Sequence, residues 1–149
     1  MAPDPSIVAC PHCGRKNRVG QPAHGRPQCG QCHGGLPWVV DADDTSFASA
    51  TDTRLLTIVD LWAPWCGPCR LVAPVLERLA VEYAGRLKVV KVNVDDSPRL
   101  ASKYRASSIP MLVFLHAGNV LDTVVGAQAD HVVRKRIDLL LPNLETTST

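Results

Sequence analysis

The hydrophobic and polar positions along this chain fall into short blocks with two periods. Leu55-Leu56-Thr57-Ile58-Val59 is a nearly continuous apolar run of strand length, the pattern of a strand covered on both faces, and Leu87 through Val94 reads as the next strand. Between them Val72, Val75, Leu76, Leu79, Ala80 and Tyr83 recur three and four residues apart, which predicts one amphipathic helix. Pro68 fits its opening turn, where N–H groups lack intrahelical partners; Pro74 predicts a kink, and Gly85 ends the helix. Strand, helix, strand in one sheet implies a parallel pair joined by a right-handed crossover.

The pattern continues on both sides. Asp43-Asp44-Thr45-Ser46 offers N-cap candidates for a short helix from Phe47, and Asp95-Asp96-Ser97-Pro98 starts another through Arg99, Leu100, Lys103 and Tyr104. Ile109-Pro110 leads into Met111 through Leu115, and Gly118-Asn119 separates that run from Val120 through Val125, predicting an antiparallel hairpin with a Gly118-Asn119 turn. A last helix carries Val132, Val133, Ile137, Leu140 and Leu141; it is expected to stop before Pro142, with a fraying tail from Asn143. The expected class is α/β, a central mixed sheet flanked by helices.

Upstream the periodicity disappears and cysteines replace it. Cys10-Pro11-His12-Cys13 and Cys29-Gly30-Gln31-Cys32 stand fifteen residues apart, within the C-x2-C spacing range of zinc ribbons. Each tight pair lets a turn present two sulfurs to one ion, and glycines at 14, 30, 34 and 35 permit the positive φ such knuckles use. About 37 residues whose large apolar side chains are Ile7, Val8, Val19, Leu36 and Trp38 need a staple to fold. Structural zinc supplies roughly 10–16 kcal/mol in small finger peptides. Two disulfides are the alternative, and they need an oxidising compartment. His12, His24 and His33 read as exposed loop residues, since four cysteines complete a shell. Gly34-Gly35-Leu36-Pro37 closes the module, dividing the chain into residues 1–37 and 38–149, with the first part expected to lean on the second.

Composition narrows the picture. With 149 residues, 46% of them apolar, the chain can build one ordinary core plus an appendage. Its longest apolar runs fall far short of the roughly 18 residues of a membrane span, so no membrane partner is expected. Met1 to Ser6 has no basic and no apolar leader region, so a cytoplasmic location is expected. Of the net +2, residues 1–37 carry +3. Four thiolates on one Zn²⁺ would cut that to about +1, which argues against a nucleic-acid partner. A monomer is expected.

The candidate chemistry lies in Val59-Asp60-Leu61-Trp62-Ala63-Pro64-Trp65-Cys66-Gly67-Pro68-Cys69. A thiol attacks only as thiolate, roughly 3% ionised at pH 7 for a free cysteine. Cys66 at a helix N-terminus faces the macrodipole and unpaired N–H groups, which favour the anion. Lowering its pKa to about 7 raises thiolate about 15-fold but reduces nucleophilicity about fivefold, a net gain of only about threefold. Proximity must supply the rest: Cys69, one turn on, can attack a mixed disulfide intramolecularly. Cys66 at the exposed helix start is therefore read as nucleophile and Cys69 as the resolving thiol; half of a second metal site is the alternative reading. Asp60 inside an apolar strand is expected to be buried with a raised pKa, fit to take a proton from Cys69, or else simply satisfied by local donors. Lys91 could pair with it or snorkel.

Trp65-Cys66-Gly67-Pro68-Cys69 resembles the active-site motif of the thioredoxin family, and Asp60, Lys91, Ile109-Pro110 and Gly126 follow in that family's order. The four-cysteine module resembles the bacterial zinc-binding thioredoxin 2 type. This resemblance implies a thioredoxin fold with a small zinc-ribbon-like module, a redox-active disulfide, and one structural Zn. It implies that Lys91 tunes Asp60, that Pro110 is a cis proline beside the sulfurs, and that Trp65, Gly67, Pro68, Ile109 and Gly126 form a substrate groove, with Pro64 affecting its shape. It also implies a protein-disulfide reductase acting on disulfide-containing proteins, recharged by a thioredoxin reductase that uses NADPH. A redox-responsive zinc protein that loses metal on oxidation, and a disulfide oxidase or isomerase on the same fold, are the competing readings.

Overall fold

The computed structural model describes residues 7–19 and 26–146; Met1 to Ser6 and His24, which entered the reading above, lie outside them. Two short strands, β1 (Ile7–Ala9) and β2 (Lys16–Arg18), form an antiparallel ribbon in the cysteine module. A five-stranded sheet follows: β3 (Val39–Ala42), β4 (Leu56–Trp62), β5 (Leu87–Asn93), β6 (Met111–His116) and β7 (Asn119–Val125), ordered β3-β5-β4-β6-β7. Four helices accompany it: α1 (Phe47–Ala50), α2 (Gly67–Glu82), α3 (Pro98–Lys103) and α4 (Asp130–Thr146). β3, β5 and β4 are parallel, whereas β6 and β7 run antiparallel, so the sheet is mixed as expected.

Pleating splits each apolar run between two cores. Leu56 and Ile58 join α2 and α4 on one face, while Val59 and Leu61 join Phe47, Leu100 and the module's Cys10, Val19, Cys29 and Leu36 on the other. A strand buried on both faces has no polar side, which is why β4 shows no alternation. α2 and α4 are further joined by Tyr83, whose hydroxyl donates to Asp138, and by Arg134, paired with Glu82 at 2.9 Å and Asp130 at 2.8 Å.

The module leans on the sheet, as expected. Trp38 is fully buried over Lys88, whose ammonium lies 3.8 Å from its ring centroid. Burial pushes the Lys88 ammonium down to about 8, against the pull of Asp52. Gly35 lies against the turn after α2, where a Cβ would sit 2.7 Å from both the Ala84 carbonyl oxygen and Gly85 Cα. These contacts gather at the N-terminal end of β5, whereas Cys66 follows the C-terminal end of the parallel β4.

Several expectations are corrected. The hairpin turn is Ala117-Gly118, both with positive φ (50° and 83°), because His116 pairs with Asn119. α4 does not stop at Pro142 but runs to Thr146; Leu141 is buried and Leu144 packs on the same core, so burial along one face outweighs the lost proline N–H. Among the module's described glycines only Gly14 has positive φ (80°); in the second knuckle His33 takes that conformation (64°), while Gly34 lies beneath the exposed His12 ring and Gly35 is needed against the Ala84-Gly85 backbone. Ser46 begins α1 without a side-chain cap. Asp44 instead caps α3, accepting from the Arg99 and Leu100 N–H groups at 3.0 and 2.9 Å.

Candidate functional site

Cys66 is the N-cap of α2, in extended conformation, with Pro68 in the opening turn. Its Sγ accepts from the Cys69 N–H at 3.2 Å, so the orphan donors of the helix start do face this sulfur. The two cysteines form a disulfide with Cα atoms 5.3 Å apart, a separation the Gly67-Pro68 turn holds. One expectation changes: exposure does not distinguish the sulfurs, since each cysteine is only 4% exposed. Surroundings distinguish them. Cys66 Sγ lies 3.8 Å from the Ile109 carbonyl oxygen on the groove side, whereas Cys69 lines a cavity of about 310 Å³ leading to Asp60 and Lys91.

Asp60 is 1% exposed, and its Oδ1 has no hydrogen-bond partner. Burial raises its pKa to about 6, with Lys91 pulling the other way. Sheet register explains why these two meet: Asp60 and Lys91 are direct partners across β4 and β5, on the face that α2 covers. Lys91 stays half-buried, its ammonium 5.4 Å from the Trp62 ring centroid. A carboxyl that titrates near neutrality and shares a cavity with Cys69 can exchange a proton with that thiol.

Of the residues read as a groove, Trp65, Gly67 and Pro68 flank Cys66 along the chain and Ile109 packs against it. Trp65 is 70% exposed, Gly67 and Pro68 are exposed, and Ile109 and Gly126 are half-buried. The Ile109-Pro110 bond is cis, and Gly126 N–H donates to the Pro110 carbonyl at 2.8 Å, tying the start of β6 to the end of β7. Two supports escaped sequence reasoning. Trp65 Nε1 donates to Asp95, and Arg70 Nη2 donates to the Pro64 carbonyl at 3.1 Å. Only the second had a signal that could have led to it, an arginine one turn into α2; nothing in the sequence links Trp65 to a residue thirty positions on.

The sulfurs of Cys10, Cys13, Cys29 and Cys32 all lie within 4.8 Å of one another. Each knuckle repeats one hydrogen-bond set: Gly14 and His33 N–H donate to the Cys10 and Cys29 carbonyls at 2.9 Å, and His12 and Gln31 N–H donate to the Cys10 and Cys29 sulfurs at 3.4 Å. N–H groups aimed at sulfur stabilise thiolates. Four sulfurs about 2.3 Å from one Zn²⁺ lie about 3.8 Å apart, so this donor set fits that ion. His12 and His33 are exposed and outside the cluster, as expected.

A disulfide capping a helix, with a buried carboxyl behind it and an exposed aromatic groove before it, defines a thiol-disulfide oxidoreductase. The thioredoxin family profile matches residues 38–138. Thioredoxin 1 of Nostoc sp. is 49% identical over 85 residues, 57% of this chain and 79% of that protein. Thioredoxin of Pyropia yezoensis is 48% identical over 90 residues, 60% and 84% of the two chains. Thioredoxin 1 of Synechococcus elongatus is 44% identical over 96 residues, 64% and 90%. The chain belongs to the thioredoxin family, and the Cys66-Cys69 pair is its redox-active disulfide.

Proposed function

We propose that this chain is a cytoplasmic, monomeric protein-disulfide reductase of the zinc-binding thioredoxin 2 type, acting without nucleic-acid or membrane partners. The carrying observation is Cys66 at the α2 N-terminus with Cys69 opening onto the Asp60 cavity. In the dithiol form the Cys66 thiolate attacks one sulfur of a substrate disulfide, forming a mixed disulfide and expelling the other sulfur as thiolate. Asp60 takes the Cys69 proton as that thiol attacks Cys66 Sγ. The second substrate thiolate leaves and is protonated, and the Cys66-Cys69 disulfide remains. A thioredoxin reductase using NADPH returns two electrons to it. Lys91 moderates the Asp60 pKa, and Trp65, Gly67, Pro68, Ile109, Pro110 and Gly126 form the surface that seats the substrate.

Residues 1–37 act as a separate metal module, in which Cys10, Cys13, Cys29 and Cys32 would hold one structural Zn²⁺; the ion would supply cross-linking and no open coordination position. Cys66→Ser is expected to abolish reduction of insulin disulfides by NADPH and reductase; retained turnover would overturn the reading. Cys13 and Cys32 are exposed while Cys10 and Cys29 are buried, which favours a second reading of the module as an oxidation sensor. Metal release at lower peroxide dose than active-site oxidation would support it.

A further inference from the structure

The active-site row does not end at Lys91. Sheet register makes Asp41 of β3 the partner of Lys91, as Asp60 is from the other side, so Asp41, Lys91 and Asp60 form one row across three parallel strands. Asp60 closes the buried end of the row. Asp41, at its outer end, is exposed and opens onto a second cavity of about 530 Å³, lined also by Lys91, Asp43, Asn93, Asp96 and Ser97.

This cavity has more acceptors than the chain uses. Three carboxylates face one ammonium. Asp43 spends Oδ1 on the Thr45 and Ser46 N–H groups, and Asp96 Oδ2 accepts from Asn93 at 3.2 Å. The Asp41 carboxylate has no hydrogen bond or ion pair among the described residues. Ser97, 0% exposed, belongs to the cavity's lining, and its buried Oγ has no partner. A buried hydroxyl without a partner costs free energy that an incoming donor would recover. Among the described residues, only the four cysteines converge closely enough to hold a metal ion, so the carboxylates suit an extended cation rather than a compact one.

The cavity also adjoins the substrate-facing surface. Trp62 and Lys91 line both it and the cavity behind Cys69, and Asp95, which holds Trp65, is next to Asp96. A protein seated on Trp65 would thus have a flank beside the Asp95-Asp96 loop that borders the cavity. We propose that this cavity receives a basic side chain, arginine or lysine, next to the disulfide of the partner protein. A guanidinium would donate to Asp41, Asp96 and Ser97 Oγ at once, a charge-assisted set that selects partners by their flanking charge. The proposal rests on the reductase reading above and adds the class of substrate.

The test uses the full chain and two disulfide peptides of equal length, one with arginines flanking the cystine and one with glutamines. Wild type is expected to reduce the arginine peptide about fivefold better in kcat/KM, mainly through KM, with the preference shrinking at high salt. Asp41→Asn, and separately Asp96→Asn, should bring that ratio toward one, and Asp41→Lys should reverse it. Glu77→Gln removes one exposed charge from α2 and should leave the ratio intact. A wild-type ratio near one, or one that the Asp41 and Asp96 variants leave unchanged, would overturn the cavity's role while the reductase reading stands. Reduction of neither peptide would overturn both.

Discussion

Trp65 Nε1 lies 3.0 Å from Asp95 Oδ2, joining the residue before the redox disulfide to the loop after β5. An indole that is 70% exposed has little packing to orient it, so this charge-assisted bond supplies much of its orientation.

Asp95→Ala should therefore free the Trp65 ring. We expect KM for a protein disulfide to rise about threefold, the worth of one exposed hydrogen bond, with little change toward a small disulfide reagent that does not cover the ring. Parallel kinetics on both substrates check this.

Asp60 gives a pH dependence of defined sign. Its folded pKa, about 6, is above the ordinary aspartate value of 3.8, so the native state holds the proton more tightly and stability falls as pH rises from about 4 to about 6. Asp60→Asn should remove that slope and stabilise the protein at pH 8 by about 3 kcal/mol, an upper figure for a shift of this size. The same variant should slow resolution of the mixed disulfide by tenfold or more. Denaturant midpoints across pH, with single-turnover kinetics, separate the two effects.

Asp44→Ala removes the cap of α3 while leaving the turn before α1 to Asp43. The expected loss is about 1 kcal/mol. For a chain of this size that lowers Tm by about 3 °C, measured calorimetrically.

Gly35→Ala would place a methyl group 2.7 Å from the Ala84 carbonyl oxygen, backbone against backbone. We expect a lower Tm with the Cys66-Cys69 chemistry nearly intact, because the contact is at the end of the sheet away from Cys66. A strong chelator should act in the same direction, and residues 38–149 alone should fold with reduced stability, having lost the cover of Cys10, Val19, Cys29 and Leu36. Circular dichroism and thermal melts of all three samples check this.

Much of this protein was legible along the chain. A continuous apolar run marked β4, a strand-length Val-rich stretch marked β5, the three-four spacing marked α2, and the two kinds of C-x-x-C separated a four-cysteine cluster from a redox pair, because local propensity and motif spacing are properties of neighbouring residues. Turn and end positions were less legible. Gly118-Asn119 looks like a hairpin turn until pairing with β6 fixes the register one residue earlier, and Pro142 looks like a stop until the far side of α4 is seen to be buried.

What the sequence by itself determined is the inventory: two thiols one turn apart at a helix start, a carboxylate in an apolar strand, and four more cysteines in two C-x2-C pairs. Tertiary structure alone decided which groups share an environment. Sheet register set Asp41, Lys91 and Asp60 in one row, and loop packing gave Asp95 to Trp65 and Asp44 to α3. Each of these pairs groups separated by 30 or more residues, and no local pattern encodes such a meeting; it follows only when strand order and register bring distant stretches side by side.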